Sequence, residues 1–267
     1  MRAAEQAYRQ ALAVAERDLA TADLTAARVR NNLGVLLKYT GGFQEAAVLY
    51  ERSRRELVAA LGAEHPEVAT VLHNIGGLAH AAGRPAEGET AARQAVRIRE
   101  AALGADHPEA AADRAALAAI LDATGRHEEA AELLERALAI FERTLGPHHY
   151  EVGVTLGNLG AIDARLGHLE RAETRLRRAL ATKERAVGPN HPELVPTLGT
   201  LGVVCRRKGD EHAARQLYER ALEILDGRVV ANHPHIAALK ANLARLDAPP
   251  PRDRATRTSA TTPASSP

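Results

Sequence analysis

Five histidines stand at one fixed interval: His65, His107, His149, His191 and His233 are each 42 residues from the next. An imidazole can ligate a metal, move a proton or accept a backbone N–H. One histidine per repeat puts the rings on separate elements whose axes lie ~8–10 Å apart, whereas a Zn–N bond is only ~2.0–2.1 Å. A shared metal does not fit that spacing, and helix capping at a joint does. Proline follows the histidine at Pro66, Pro108, Pro192 and Pro234, and Tyr150 takes its place once. Nucleophiles are scarce. Between residues 23 and 232 the one serine is Ser53, in a slot that is Ala95, Ala137, Ala179 and Ala221 elsewhere. The one cysteine, Cys205, shares the phase of Leu37, Ala79 and Leu121, which predicts a small buried apolar role. No G-x-x-x-x-G-K-[ST], G-x-G-x-x-G or H-E-x-x-H motif occurs. Neither catalysis, nor a cofactor, nor a metal is expected.

Two polar features remain. Asp163 sits at the phase of Leu37 and Cys205, so it should be at least partly buried and needs a cation; Arg165 or Arg206 is the expected partner. Asn32, Asn74, Asn158 and Asn242 share a second phase, broken by Ala116 and Thr200. Asparagine is a mediocre helix former, so its return has either a local hydrogen-bonding reason or an external ligand.

The elements that position these residues follow from the same period. Val68, Val71, Leu72, Ile75 and Leu78 have the i, i+3, i+4, i+7 spacing of an amphipathic helix, the first of each unit. Gly83 stops it, Pro85 opens a second helix, and Ala91, Ala95, Val96, Ile98 and Leu103 mark that helix until Gly104. Small residues hold three phases: Gly34, Gly76, Ala118, Gly160 and Gly202 on the first helix; Ala46, Gly88, Ala130, Ala172 and Ala214, then the Ser53 series, on the second. A glycine inside a helix costs ~1 kcal/mol against alanine, so its recurrence predicts a close helix–helix contact. A fixed period of this size is the mark of a solenoid.

Those landmarks together, a Leu-Gly pair on the first helix, Gly at the turn and Ala46, Tyr50, Ser53 on the second, resemble the tetratricopeptide repeat. The usual unit is ~34 residues; the 42-residue unit with its G-x-D/N-H-P joint is similar to the repeats of kinesin light chain and bacterial relatives. The resemblance implies an all-α fold, an α-solenoid winding as a right-handed superhelix of antiparallel helix pairs. The expected layout is a half repeat at 1–22, five repeats over 23–232, a capping helix at 233–247 and a disordered tail at 248–267. It also implies a non-enzymatic scaffold whose concave groove holds an extended segment of a protein or peptide partner, where asparagine amides read the ligand's backbone.

The groove residues implied are Arg28, Asn31, Asn32, Lys38, Tyr39, Thr70, His73, Asn74, His80, Asn158, Arg165, Arg206 and Asn242. This surface is basic at its start and end and bare between, over Ala112, Ala115, Ala119, Val154, Gly157 and Ala161. Its arginines and lysine favour an acidic partner. Two other readings stand beside this one. The chain could be a sensor or regulatory segment of a larger bacterial ATPase- or protease-linked signalling protein, or a module that self-associates through its N-terminal edge. A formal net charge of +1 gives no footprint for nucleic acid, and no apolar run reaches the ~20 residues that span a bilayer. One cysteine and no signal-peptide pattern point to a cytoplasmic protein.

Overall fold

The His-Pro joint starts each inner helix. In the computed structural model, which describes residues 2–18, 24–226 and 234–247, His65, His107, His149 and His191 have extended backbone. Each ring accepts, at Nδ1, the N–H of the glutamate two residues on, at 3.2–3.3 Å. The imidazole itself thus caps the helix at the joint, and His233 lies outside the described residues. One orphan amide of the first turn is thereby satisfied. Tyr150 can replace proline at this point because the cap belongs to His149.

Twelve α-helices follow among the described residues: α1 (Arg2–Asp18), α2 (Thr25–Thr40), α3 (Phe43–Leu61), α4 (Pro66–Ala81), α5 (Pro85–Leu103), α6 (Pro108–Ala123), α7 (His127–Leu145), α8 (Tyr150–Leu166), α9 (Leu169–Val187), α10 (Val195–Arg207), α11 (Glu211–Leu225) and α12 (Pro234–Asp247). Glycines with positive φ end them, as at Gly167 (φ 87°) and Gly104 (φ 90°), where a residue with a Cβ would be strained. The fifth unit departs from the others. Its first helix begins with a 3₁₀ turn, Pro192–Leu194, before α10. Pro196 lacks the N–H that an unbroken helix would donate to the Pro192 carbonyl.

Each helix packs on the next in sequence, and α2, α4, α6, α8, α10 and α12 also touch their successors in that row. The other row, α1 through α11, makes no such backbone approach among the described residues. The even row is therefore the inner one and the stack bends around it. Arg–Glu pairs bridge the spread outer row: Arg9 to Glu45 (2.7 Å), Arg93 to Glu129 (2.8 Å), Arg178 to Glu142 (2.5 Å) and Arg220 to Glu184 (2.7 Å). The long forked guanidinium suits such a reach.

Within a unit the two helices meet at the small phases. A Cβ on Gly34 would lie 2.6 Å from the Tyr50 ring, one on Gly160 would lie 2.6 Å from Leu176 Cγ, and Gly202 meets Tyr218 in the same way. Tyr50, Leu176 and Tyr218 are fully buried. Ser53 is buried too, and its hydroxyl donates to the Ala27 carbonyl at 2.8 Å, a cross-helix bond that alanine cannot make. Leu103, expected in the core, is 39% exposed, and Ala92 rather than Ala91 is the buried alanine. Asp163 is fully buried as expected, but with other partners. Arg171 Nε and Arg175 Nη1 each donate to it at 2.8 Å. Arg165 pairs instead with Asp122 and Arg206 lies beside Tyr218, because α9, not α8 or α10, faces the Asp163 side of its helix.

Three outcomes follow. Gly202→Ala should cost about 1–3 kcal/mol by urea midpoint from overpacking against Tyr218, against the ~1 kcal/mol gain that helix propensity alone gives; a stabilised variant contradicts the contact. Asp163→Asn should lose about 2–4 kcal/mol, whereas Asp163→Leu, matching Leu37 and Leu121, should stay within about 1 kcal/mol of wild type; equal losses contradict the buried-pair reading. Hydrogen bonds from Arg9 and Arg93 hold Glu45 and Glu129 below the ordinary carboxylate value of 4.5. Their stabilisation is present above that value and is lost as pH falls through the depressed one. Since each exposed pair is worth under ~1 kcal/mol, the Glu45→Gln/Glu129→Gln variant should show a slightly shallower loss of Tm in acid, and superimposable profiles would count against these ties.

Candidate functional site

Side chains one turn apart on the inner helices make a continuous surface. On α4 it reads Thr70, His73, Gly77, His80; on α6 Ala112, Ala115, Ala119, Asp122; on α8 Val154, Gly157, Ala161; on α10 Pro196, Gly199, Val203, all exposed or half-buried. From α6 onward it is nearly bare of long side chains. Two adjoining pockets form there. One, of about 480 Å³, lies between α4, α6 and α8 and is lined by His80, Ala119, Asp122, Asn158, Ala161 and Arg165. The second, of about 390 Å³, lies between α8, α10 and α12 and is lined by Ala161, Arg165, Pro196, Thr200, Val203 and Asn242 among others. Ala161 and Arg165 belong to both.

The charges on this surface are mostly committed. Arg165 Nη1 donates to Asp122 Oδ2 at 2.7 Å, and His127 Nδ1 meets Asp122 Oδ1 at 2.7 Å. Arg207 donates to the Ala164 carbonyl, and Arg245 donates to Asn242 at 2.8 Å. Arg28 grips Glu67 with two nitrogens at 2.8 and 2.7 Å. Among the described residues Lys38 pairs with no carboxylate: its ammonium stands 5.0 Å over the Tyr39 ring centre, and burial lowers its pKa.

The expected site residues therefore divide. His80, Asn158 and Arg165 meet in the first pocket, and Arg165 and Asn242 in the second. Asn31, Asn32 and Asn74 bond one another: Asn74 Nδ2 donates to Asn31 Oδ1 at 2.8 Å and Asn31 Nδ2 to Asn32 Oδ1 at 3.3 Å. Thr70 and His73 belong to a network around Asp113, in which His73 Nδ1 meets Oδ1 at 2.7 Å and Arg99 donates to Oδ2 at 3.0 Å and to Thr70 at 3.1 Å. Lys38 and the 72%-exposed Tyr39 sit on α2, apart from both pockets. Arg206 turns inward, its Nε buried without an acceptor beside Tyr218. The sequence reading passed over Asp113, Asp122, Arg99 and Lys183. For three of these the sign was present: Arg99 and Lys183 share the phase of Leu57, Phe141 and Leu225, and Asp113 that of Val71 and Leu239. A charge at a core phase is the signal that singled out Asp163.

Nothing reactive stands out on this surface. Cys205 is buried, and burial raises its thiol pKa, which makes it a poor nucleophile. Among the described residues no group of three or more His, Cys, Asp or Glu side chains is placed to hold a metal, and no helix is long and apolar enough to cross a membrane.

Known proteins give the same architecture. The tetratricopeptide repeat family profile matches four overlapping stretches, 25–101, 67–143, 110–185 and 151–226. A search of curated proteins finds no match. Among solved structures, the Podosopora anserina putative kinesin light chain with nearly identical TPR-like repeats is 26% identical, with a TM-score of 0.62 over 74% of this chain and 93% of that one. BtubC (BKLC) from P. vanneervenii is 21% identical, with a TM-score of 0.67 over 99% and 97%. A Rap protein complexed with competence and sporulation factor is 17% identical, with a TM-score of 0.62 over 91% and 67%. The matched stretches begin about one 42-residue unit apart, and the chain belongs to the tetratricopeptide repeat family and is of the kinesin-light-chain-like, 42-residue type.

Proposed function

We propose that this protein is a non-enzymatic scaffold that holds an extended segment of another protein along the inner row of helices. Tetratricopeptide repeats are interaction modules, and the family model that matches the chain is one of these. The observation that carries the reading is the pair of pockets sharing Ala161 and Arg165. They form one trough across five inner helices, floored by small apolar residues and edged by amides and cations. Concave, largely preformed apolar surfaces with a few placed polar groups are where ligands bind. Asn158, Thr200 and Asn242 offer both donors and acceptors to a peptide backbone. The Rap structure supports the same use of the fold, since that protein was solved with competence and sporulation factor bound. The lone buried thiol fits a reducing, cytoplasmic setting.

An array of short extended peptides tests this directly. Ala161→Trp places a large ring in both pockets from a half-buried position. It should weaken binding of every retained peptide by roughly tenfold or more while leaving helical content and Tm near wild type. Unchanged binding to a folded Ala161→Trp variant removes the inner row as the binding surface.

A further inference from the structure

One slot on the outer helices is filled by Leu57 in α3, Phe141 in α7 and Leu225 in α11, but by Arg99 in α5 and Lys183 in α9. Both cations are buried, at 7% and 8% exposure. Around Arg99 the chain supplies every partner. Asp113 Oδ2 accepts at 3.0 Å, Glu109 pairs at 2.9 Å, the Pro66 carbonyl and the Thr70 hydroxyl accept at 3.3 and 3.1 Å, and His73 covers the far side of the Asp113 carboxylate. Two repeats later the cation is kept and its partners are gone. Thr197 stands where Asp113 stands, Gly157 where His73 stands and Val154 where Thr70 stands. Glu193, the counterpart of Glu109, accepts from the Tyr150 hydroxyl and makes no ion pair with Lys183. Among the described residues, what is left to Lys183 is one side-chain hydrogen bond, from Nζ to Thr197 Oγ1 at 3.1 Å.

An ammonium has three N–H donors, and a buried one without a counter-charge is costly. Burial accordingly lowers the Lys183 pKa, and the charge of Glu193 opposes the shift. The lost partners have not been replaced by packing. A methyl group built on Gly157 would stand 3.5 Å from Lys183 Nζ and 3.7 Å from Thr197 Oγ1, with nothing closer. Lys183 Nζ and Thr197 Oγ1 are thus the nearest side-chain atoms beneath the half-buried Gly157 of the inner surface, at the register where the first site carries an imidazole over a carboxylate.

We propose that the inner surface at Gly157 is a subsite for a carboxylate side chain of the bound segment, which pairs with Lys183 and Thr197 as Asp113 pairs with Arg99. It rests on the groove reading above and adds to it Lys183 and Thr197, which lie outside the lining of both pockets, together with the chemistry of one ligand side chain.

The test is an array of short extended peptides in which every Asp- or Glu-bearing member has an Asn or Gln twin. It is read against wild type, Lys183→Met and Thr197→Asp. Methionine enters a slot that leucine and phenylalanine fill elsewhere, and Thr197→Asp supplies in cis the carboxylate that Asp113 supplies to Arg99. Wild type should prefer acidic members over their twins by roughly tenfold or more; both variants should lose the preference, and Thr197→Asp should melt at a higher temperature than wild type. Twins that bind wild type equally well overturn the subsite and leave the groove standing, as does an acidic preference that survives in Thr197→Asp. An array that binds nowhere overturns both. Should Lys183→Met fail to fold, Thr197→Asp decides alone.

Discussion

The constraint on which this structure depends is the contact between the two helices of each unit, made where one helix carries almost no side chain. Gly34 against Tyr50, Gly160 against Leu176 and Gly202 against Tyr218 bring backbone onto ring or isobutyl group without a gap. Ala118 does the same over Leu134 in the third unit, both buried. Repeating that contact at a fixed interval makes every helix pair nearly the same brick. Stacked bricks whose inner helices touch and whose outer helices do not must curve. The curve leaves a trough on one side and a fan of helices on the other, the latter held by arginine–glutamate pairs long enough to span it.

A scaffold built this way separates two jobs. The repeated apolar and small positions specify the stack, and substitutions at a few phases vary what the stack presents. The same slot holds leucine or phenylalanine in three units, an arginine with a full set of partners in one, and a lysine with a single hydroxyl in another. Asp163 shows the tolerance of the design, since a fully buried carboxylate persists where neighbouring α9 can turn two guanidinium groups onto it. Buried ion pairs seldom add net stability over apolar packing. Their presence at single units of a repetitive core marks where the units differ from one another.

Much of this was legible in the sequence because it is local and repeated. The helix starts, the glycine stops and the close-contact phases each recur several times, so the pattern overdetermines them. The partners of polar groups were not legible. Arg165 is nearer to Asp163 in sequence than Arg171 is, yet the facing of α9 sends the nearer one to Asp122 and the farther one to Asp163. The asparagine series shows the same limit. Asn74 is buried because Asn31 sits beside it, whereas Asn158, at the same phase, is exposed where Gly157 and Ala115 replace that neighbour. Phase predicts which face a residue occupies, and the side chain one helix away decides whether it is free to bind. The break before α10 is a third case, set by the single residue Pro196 against a register that otherwise predicts an unbroken helix.

The central claim is that the inner row, and not the outer fan, receives the partner. Amide chemical-shift mapping with a peptide retained from the array tests it most directly, since Ala115, Gly157 and Gly199 report from three consecutive inner helices and Gln44, Glu128 and Arg177 from the outer ones. The account predicts shifts concentrated along α6, α8 and α10, with the outer helices silent. Shifts centred on the outer row, or spread evenly over both, would contradict it.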